Sequence, residues 1–253
     1  MTYCVGISLK AGLVFASDSR TNAGSDHVNS YSKMHTFGIE GKRQFVILSA
    51  GNLATTQAVL THIFRELRDN PDSVLSKTRY MSEVADYIGE VSRERQNRMA
   101  DGKGAMAGFS PSASFILGGQ ILGEPASLRL IYPEGNHITT SPATRYLQIG
   151  EIKYGKPILD RIIEPDISLE DAVRCALVSM DSTMQSNVTV GPPIETLIYE
   201  RDSFTLKHYM QFCENHPYLQ ALRGSWAKNI RAAFSALPPF DWESMSSDAP
   251  TCE

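Results

Sequence analysis

Thr2-Tyr3-Cys4-Val5-Gly6-Ile7-Ser8-Leu9, then Lys10-Ala11-Gly12, then Leu13-Val14-Phe15-Ala16-Ser17-Asp18-Ser19-Arg20 is the stretch that decides the fold. Tyr3 to Leu9 is rich in β formers, Lys10-Ala11-Gly12 turns, and Leu13 to Ala16 returns before a polar cluster. The result is a hairpin that carries Asp18 back beside the start of the chain.

Working outward, Phe37 to Ile39 and Gln44 to Ser49 read as a strand pair around Glu40-Gly41-Lys42-Arg43, ending at Ala50-Gly51. The period then turns helical. Leu53, Val59, Leu60, Ile63, Phe64 and Leu67 share a face of a segment that Asn52 can cap, and Ser82 starts a second helix with Val84, Tyr87, Ile88 and Val91 inward. Asp101 to Gly104, with Gly108 and Pro111, reads as an exposed loop. Strands resume at Ser114 to Leu117, Leu128 to Tyr132, His137-Ile138 and Tyr146 to Ile149. Pro157 suits a first helical turn, and Ser168 with Asp171 forms a capping-box variant ahead of Leu169, Ala172, Val173, Ala176, Leu177 and Met180. A hairpin of Ile194 to Glu200 and Phe204 to Met210 follows. A last helix starts at Pro217 with Leu219, Leu222, Trp226, Ile230 and Leu237 on one face, and the tail from Pro238 frays. Runs of strands and runs of helices alternate in blocks, so the class is α+β. No linker divides residues 1–253, which read as one domain with a helical extension over 211–253.

The 253 residues carry 24 Lys+Arg against 28 Asp+Glu, a net charge of -4. That mild acidity speaks against nucleic acid or an anionic membrane as partner. No stretch approaches a membrane helix and the start lacks the regions of a signal peptide, which points to the cytoplasm. Cys4, Cys175, Cys213 and Cys252 form no CxxC pair and read as reduced thiols. His27, His35, His62, His137, His208 and His216 show no zinc spacing and read as solvated or structural, and no motif calls for a cofactor. Gly118-Gly119 marks a bulge or close packing within a strand.

The chemistry gathers at the N-terminus. A small second residue permits removal of Met1, which leaves Thr2 with a free α-amine. A threonine hydroxyl needs a base, and an α-amine of pKa about 7.7–8.0 supplies one from the same residue. Asp18 returns to the chain start, and Lys33 follows in Tyr31-Ser32-Lys33-Met34. An ammonium near the amine lowers its pKa, while a carboxylate holds the lysine in place.

Thr2, the hairpin Lys10 to Arg20, Lys33 and Ser49-Ala50-Gly51 resemble the N-terminal half of proteasome β-type subunits, which are N-terminal nucleophile hydrolases. Within them the chain is most similar to the bacterial ancestral β-subunit group, Anbu. The likeness runs from residue 2 to about 210. It implies a four-layer αββα sandwich with Thr2 as nucleophile, Asp18 and Lys33 as its activating pair and the Gly51 N–H as oxyanion donor. It places Asp181 as a further acid near the threonine, and Thr21, Ser49 and Leu53 in the first side-chain pocket. Asp181 to Asn187 resembles the HslV peptidase, whose loop can hold a monovalent cation on main-chain carbonyls; Met180, Thr183 and Ser186 match it. Glu151 departs from the family, standing where a serine near the catalytic threonine is usual.

The reading that follows is an N-terminal-threonine amide hydrolase, a peptidase acting on peptides or unfolded chains within a self-assembled ring or spiral. Two alternatives stand beside it: a non-proteolytic amidohydrolase on the same fold, and an inactive self-assembling scaffold. A scaffold has no physical need for an amine, an ammonium and a carboxylate together.

Overall fold

The computed structural model describes residues 1–22, 28–101 and 110–241. The chain begins with β1 (Tyr3–Ser8), β2 (Gly12–Asp18), a short pair β3 (Arg20–Asn22) and β4 (Val28–Ser30), then β5 (Met34–Ile39) and β6 (Arg43–Gly51). Helices α1 (Leu53–Asp69), α2 (Val74–Lys77) and α3 (Met81–Asp101) follow. Strands β7 (Ala113–Ile121), β8 (Ser127–Ile131), β9 (His137–Thr139) and β10 (Tyr146–Gly150) lead to α4 (Lys156–Ile162) and α5 (Leu169–Ser186). The chain closes with β11 (Ile194–Glu200), β12 (His208–Phe212) and α6 (Pro217–Ser235).

Two five-stranded sheets result, ordered β10-β1-β2-β11-β12 and β5-β6-β7-β8-β9, with antiparallel pairing throughout. The period of two sorts each strand between layers. On β6, Val46, Leu48 and Ala50 join Cys4, Leu13, Phe15 and Leu197 of the other sheet in a shared core. Phe45 and Ile47 point the other way, into Val59, Ile63, Val84 and Ile88 of α1 and α3. Helix α5 covers the far face of the first sheet along β1, β2 and β11, with α4 beside it. The order helix, sheet, sheet, helix is the four-layer sandwich the resemblance implies.

Helix starts are chemically marked. Asn52 accepts the Thr55 N–H at 3.2 Å, and Ser168 accepts the Asp171 N–H at 3.0 Å with Glu170 and Asp171 in the first turn, where acids suit the helix dipole. Gly118 shows why its strand needs a glycine: a Cβ there would stand 2.4 Å from the buried Phe15 ring of the facing sheet and 2.5 Å from Leu128. That is the close packing expected for it.

Several sequence expectations need correction. The last hairpin pairs Ile194–Glu200 with His208–Phe212, not Phe204 to Met210; Asp202 and Phe204 adopt positive φ of 61° and 50°, and Phe204 is buried. A longer connection therefore replaces the expected three-residue turn. Helix α2 and the pair β3 and β4 were not foreseen, being too short to show a period. Phe64 does not turn inward on α1 but is 38% exposed.

The chain forms two compact units, Met1–His216 and Pro217–Glu253. In the second, Leu219 is buried, Leu222 and Trp226 are half-buried, Ile230 and Phe234 are exposed, and Leu237 falls beyond the end of α6. Residues from 242 on, with the loop expected at Gly102 to Gly108, His27 and Cys252, lie outside the described residues. Cys4, Cys175 and Cys213 are free thiols, and no described helix is long and apolar enough to cross a membrane.

Two glycines separate packing from propensity. Gly118→Ala should cost about 1–3 kcal/mol by forcing Phe15 and Leu128 apart. Gly224→Ala in α6, where a Cβ meets nothing within 4 Å, should be neutral or stabilising by up to about 1 kcal/mol. Urea midpoints of the two variants measure both.

Candidate active site

The end of β2 brings Asp18, fully buried, to the first residues of β1. Its Oδ1 accepts the Tyr3 N–H at 3.0 Å and the Lys33 ammonium at 2.6 Å, and its Oδ2 accepts the Gly191 N–H at 3.2 Å. Lys33 comes from the loop between β4 and β5, is also buried, and donates a second bond to the Arg20 carbonyl at 2.7 Å. Burial pushes the Asp18 carboxyl above the usual carboxylate range, while the Lys33 ammonium and the two backbone N–H groups work against that push.

Thr2 is fixed from the other side by its backbone. Its carbonyl accepts the Glu151 N–H at 2.7 Å, extending the pairing of β1 with β10. This contact requires Gly150: φ there is +85°, and a Cβ would lie 1.9 Å from the Thr2 oxygen. Tyr3 locks the same segment below, its phenol bonded to Ser179 of α5 and to Gln148, each at 2.6 Å. Met1 still precedes Thr2 in this structure, so the nitrogen of Thr2 is a peptide amide and the α-amine belongs to Met1. Burial and the Lys33 charge lower that amine's pKa below 8.0, while Asp18 and Glu151 raise it. The folded amine thus binds its proton less tightly than the unfolded one, so this group adds stability as pH climbs toward 8 and nothing further above it.

Thr2, Lys33, Gly51, Thr21, Ser49 and Leu53 all line one cleft of about 780 Å³. Gly51 has φ +111°, and a Cβ would strike the Ser112 carbonyl, just before β7, at 2.3 Å, so its glycine is imposed by more than a turn. The cleft also takes in residues the sequence did not mark. Arg20, Tyr31, Ser32 and His35 border it, and Leu60 and Phe64 extend its wall along α1. For His35 and Phe64 no signal existed: each fits an ordinary core or surface role until β5 and α1 meet, with the two rings edge to face at 6.2 Å. Burial lowers the His35 pKa, which favours a neutral ring.

Asp18 and Glu151 stand behind the cleft wall instead of on it. The buried Glu151 carboxylate accepts the side-chain N–H of Asn187 at 3.0 Å, tying the end of β10 to the C-cap of α5, and Lys153 approaches it at 3.8 Å. Asp181 is buried in the body of α5, which continues to Ser186, beyond the apolar run that ends at Met180. The same extension alters the cation reading. Met180 lies inside the helix, and the Thr183 carbonyl already accepts the Asn187 N–H at 2.8 Å, so Met180, Thr183 and Ser186 do not offer three free carbonyls. Among the described residues no cluster of three His, Cys, Asp or Glu side chains stands ready for a metal.

A double sheet between helical layers, with a buried lysine and carboxylate packed against the chain's second residue, is the fold of the proteasome β-type subunits. Comparison with solved structures narrows it. Anbu, the ancestral beta-subunit, from Yersinia bercovieri is 43% identical, with 95% of this chain and 99% of that one covered at a TM-score of 0.88. The Anbu complex from Pseudomonas aeruginosa, described as a helical assembly, is 43% identical over 95% and 99% with a TM-score of 0.89. Anbu from Hyphomicrobium sp. strain MC1 is 41% identical over 94% and 99% with a TM-score of 0.85. The chain belongs to the Anbu family. Neither a protein-family model nor a curated protein sequence matches it.

Removing one partner of the central ion pair should show its cost. Lys33→Met strands the Asp18 charge and should destabilise the fold by about 3–5 kcal/mol at pH 7. Without Lys33 the Asp18 pKa rises further, so the folded variant takes up a proton that its unfolded chain does not. The deficit should therefore shrink on going from pH 7 to pH 5, as urea denaturation at the two values will report.

Proposed function

We propose that the chain is an N-terminal-threonine amide hydrolase, a proteasome-like peptidase working within a self-assembled oligomer. The observation that carries this reading is the buried Lys33 and Asp18 pair, 2.6 Å apart, of which Lys33 lines the cleft that Thr2 and Gly51 share. Loss of Met1 would give Thr2 the α-amine. That amine takes the hydroxyl proton as Oγ1 attacks a substrate carbonyl, and Lys33 keeps it unprotonated enough to do so. Asp18 holds Lys33 and, through the Tyr3 N–H, the backbone next to the nucleophile. The Gly51 N–H is the oxyanion donor, since a glycine lets the carbonyl approach closely. The amine returns its proton to the leaving amine, and water then hydrolyses the acyl ester. Asp181 supports the nucleophile from α5, and Thr21, Ser49 and Leu53 form the first side-chain pocket.

In this reading the substrates are peptides or unfolded chains in the cytoplasm, with no nucleic acid or membrane partner. The segment from 211 on serves assembly; the helical assembly described for the relative from Pseudomonas aeruginosa and the exposed Ile230 and Phe234 of α6 support that role. Light scattering should find an oligomer well above a dimer, and a monomer at micromolar concentration would refute it.

The chemistry is tested on the purified protein. Its intact mass should lack Met1, and a threonine-directed electrophile should label Thr2 and nothing in Thr2→Ala. Lys33→Ala should slow labelling by about a hundredfold or more. Glu151 discriminates between hydrolases. Glu151 raises the pKa of the Met1 amine, and a carboxylate acts the same way on a Thr2 amine nearby, so Glu151→Ser should increase labelling at neutral pH. A decrease would favour a non-proteolytic amidohydrolase in which Glu151 takes part, and a correctly processed oligomer that is never labelled would favour the scaffold.

A further inference from the structure

A further buried carboxylate lies near the Asp18 and Lys33 pair. Glu195 on β11 is 3% exposed and sits on the inter-sheet face with Leu197 and Tyr199, opposite Ser17 of β2. The groups that hold it are hydroxyls. Its Oε1 accepts the Tyr209 hydroxyl at 2.7 Å, its Oε2 accepts the Ser19 hydroxyl at 3.3 Å, and the Ser32 hydroxyl lies 3.0 and 2.9 Å from the two oxygens. A carboxylate in an otherwise apolar core costs free energy that leucine would not, so its place calls for a reason beyond filling space.

The reason lies in which residues it grips. Ser19 directly follows Asp18, and Ser32 directly precedes Lys33. The loop bearing Lys33 has no strand pairing of its own at residues 31–33; the Tyr31 N–H bonds the Ser19 carbonyl at 2.8 Å, and the Lys33 carbonyl accepts the Ser49 N–H at 3.0 Å. Between those two anchors the Lys33 ammonium and the Ser32 side chain are further handles. Its hydroxyl can turn to the Met34 carbonyl at 2.9 Å or to Glu195, and the charged acceptor makes the stronger bond. Burial and the nearby carboxylate push the Tyr209 phenol up to about 12, so it stays protonated and donates across the working pH range.

We propose that Glu195 is a positioning residue for the Lys33 and Asp18 pair, gripping Ser32 and Ser19 so that the ammonium is held in register beneath Thr2. The role rests on the reading of Lys33 and Asp18 as the activating pair. Glu195 touches neither substrate nor nucleophile. It acts through the two serines, and Tyr209 fixes it from β12.

The test compares Glu195→Ala, Glu195→Gln and Tyr209→Phe in the oligomer as purified. Tyr209 is 51% exposed, so Tyr209→Phe should fold even if the core variants do not. With a threonine-directed electrophile, the maximal labelling rate should fall at least tenfold in Glu195→Ala and about threefold in Tyr209→Phe, while the reversible affinity stays within twofold. Glu195→Gln, which keeps an acceptor for the hydroxyls, should restore most of the rate. Hydrogen exchange gives a reading independent of chemistry: amides of residues 31–34 should lose at least tenfold protection in Glu195→Ala and recover it in Glu195→Gln. An unlabelled wild type would refute the threonine mechanism alone, leaving the exchange data to judge the grip on the loop. Wild-type labelling and exchange in both Glu195→Ala and Tyr209→Phe would overturn the proposal, as would a Glu195→Gln no better than Glu195→Ala.

Discussion

Asp18 is where four parts of the chain are tied together. Its two oxygens take the N–H at the start of β1, the ammonium from the loop before β5 and the N–H of Gly191 just before β11. A fully buried carboxylate has no water to fall back on, so each of these donors is obligatory, and each fixes the segment that supplies it. The hairpin of β1 and β2 can close, the first residues can lie against β10 and the Lys33 loop can cross from one sheet toward the other only if that charge is satisfied.

Glycine gives the complementary constraint. At Gly150 and Gly51 the chain passes so close to a neighbouring carbonyl that no side chain fits, and φ is positive at both. One lets the Thr2 backbone settle on the end of β10; the other lies where β6 gives way to α1, on the wall of the cleft. The same two positions that the packing demands are those a nucleophile and an oxyanion donor would need. The backbone of the cleft is thus set by how the sheet ends meet the helical layer, and the side chains of Asp18 and Lys33 are packed onto it.

The hairpin, Asn52, Ser168 and Gly118 were legible because each carries a local signal: alternation of β formers, a capping side chain, a residue without Cβ in a strand. Thr2, Asp18 and Lys33 were legible as a group through the resemblance, and the fold brings Asp18 and Lys33 into contact. Phe64 was misread because a helical period counts an aromatic residue as inward, whereas here α1 overhangs a cleft and exposes it. The end of the last hairpin was misread because positive φ at Asp202 and Phe204 has no sequence mark when the residues are not glycine. Glu195 left no signal at all, since an isolated glutamate in a strand looks like a solvent-facing residue until Ser19, Ser32 and Tyr209 converge on it from three separate segments.

Charge balance governs how the N-terminal amine and the buried acids near it coexist. The α-amine is drawn two ways, with Lys33 favouring the neutral base and Asp18 and Glu151 favouring its protonated form. Glu151 spends part of its charge on Asn187 and on Lys153, and Asp18 on Lys33, so neither acts on the amine as a bare anion. Burial then tips the balance, because desolvation always disfavours the ammonium and is the largest influence on this group. The Met1 amine is therefore held below 8.0 even with Glu151 nearby, its carboxylate tied to the end of α5. A glutamate free to swing toward the amine would favour its protonated form more strongly.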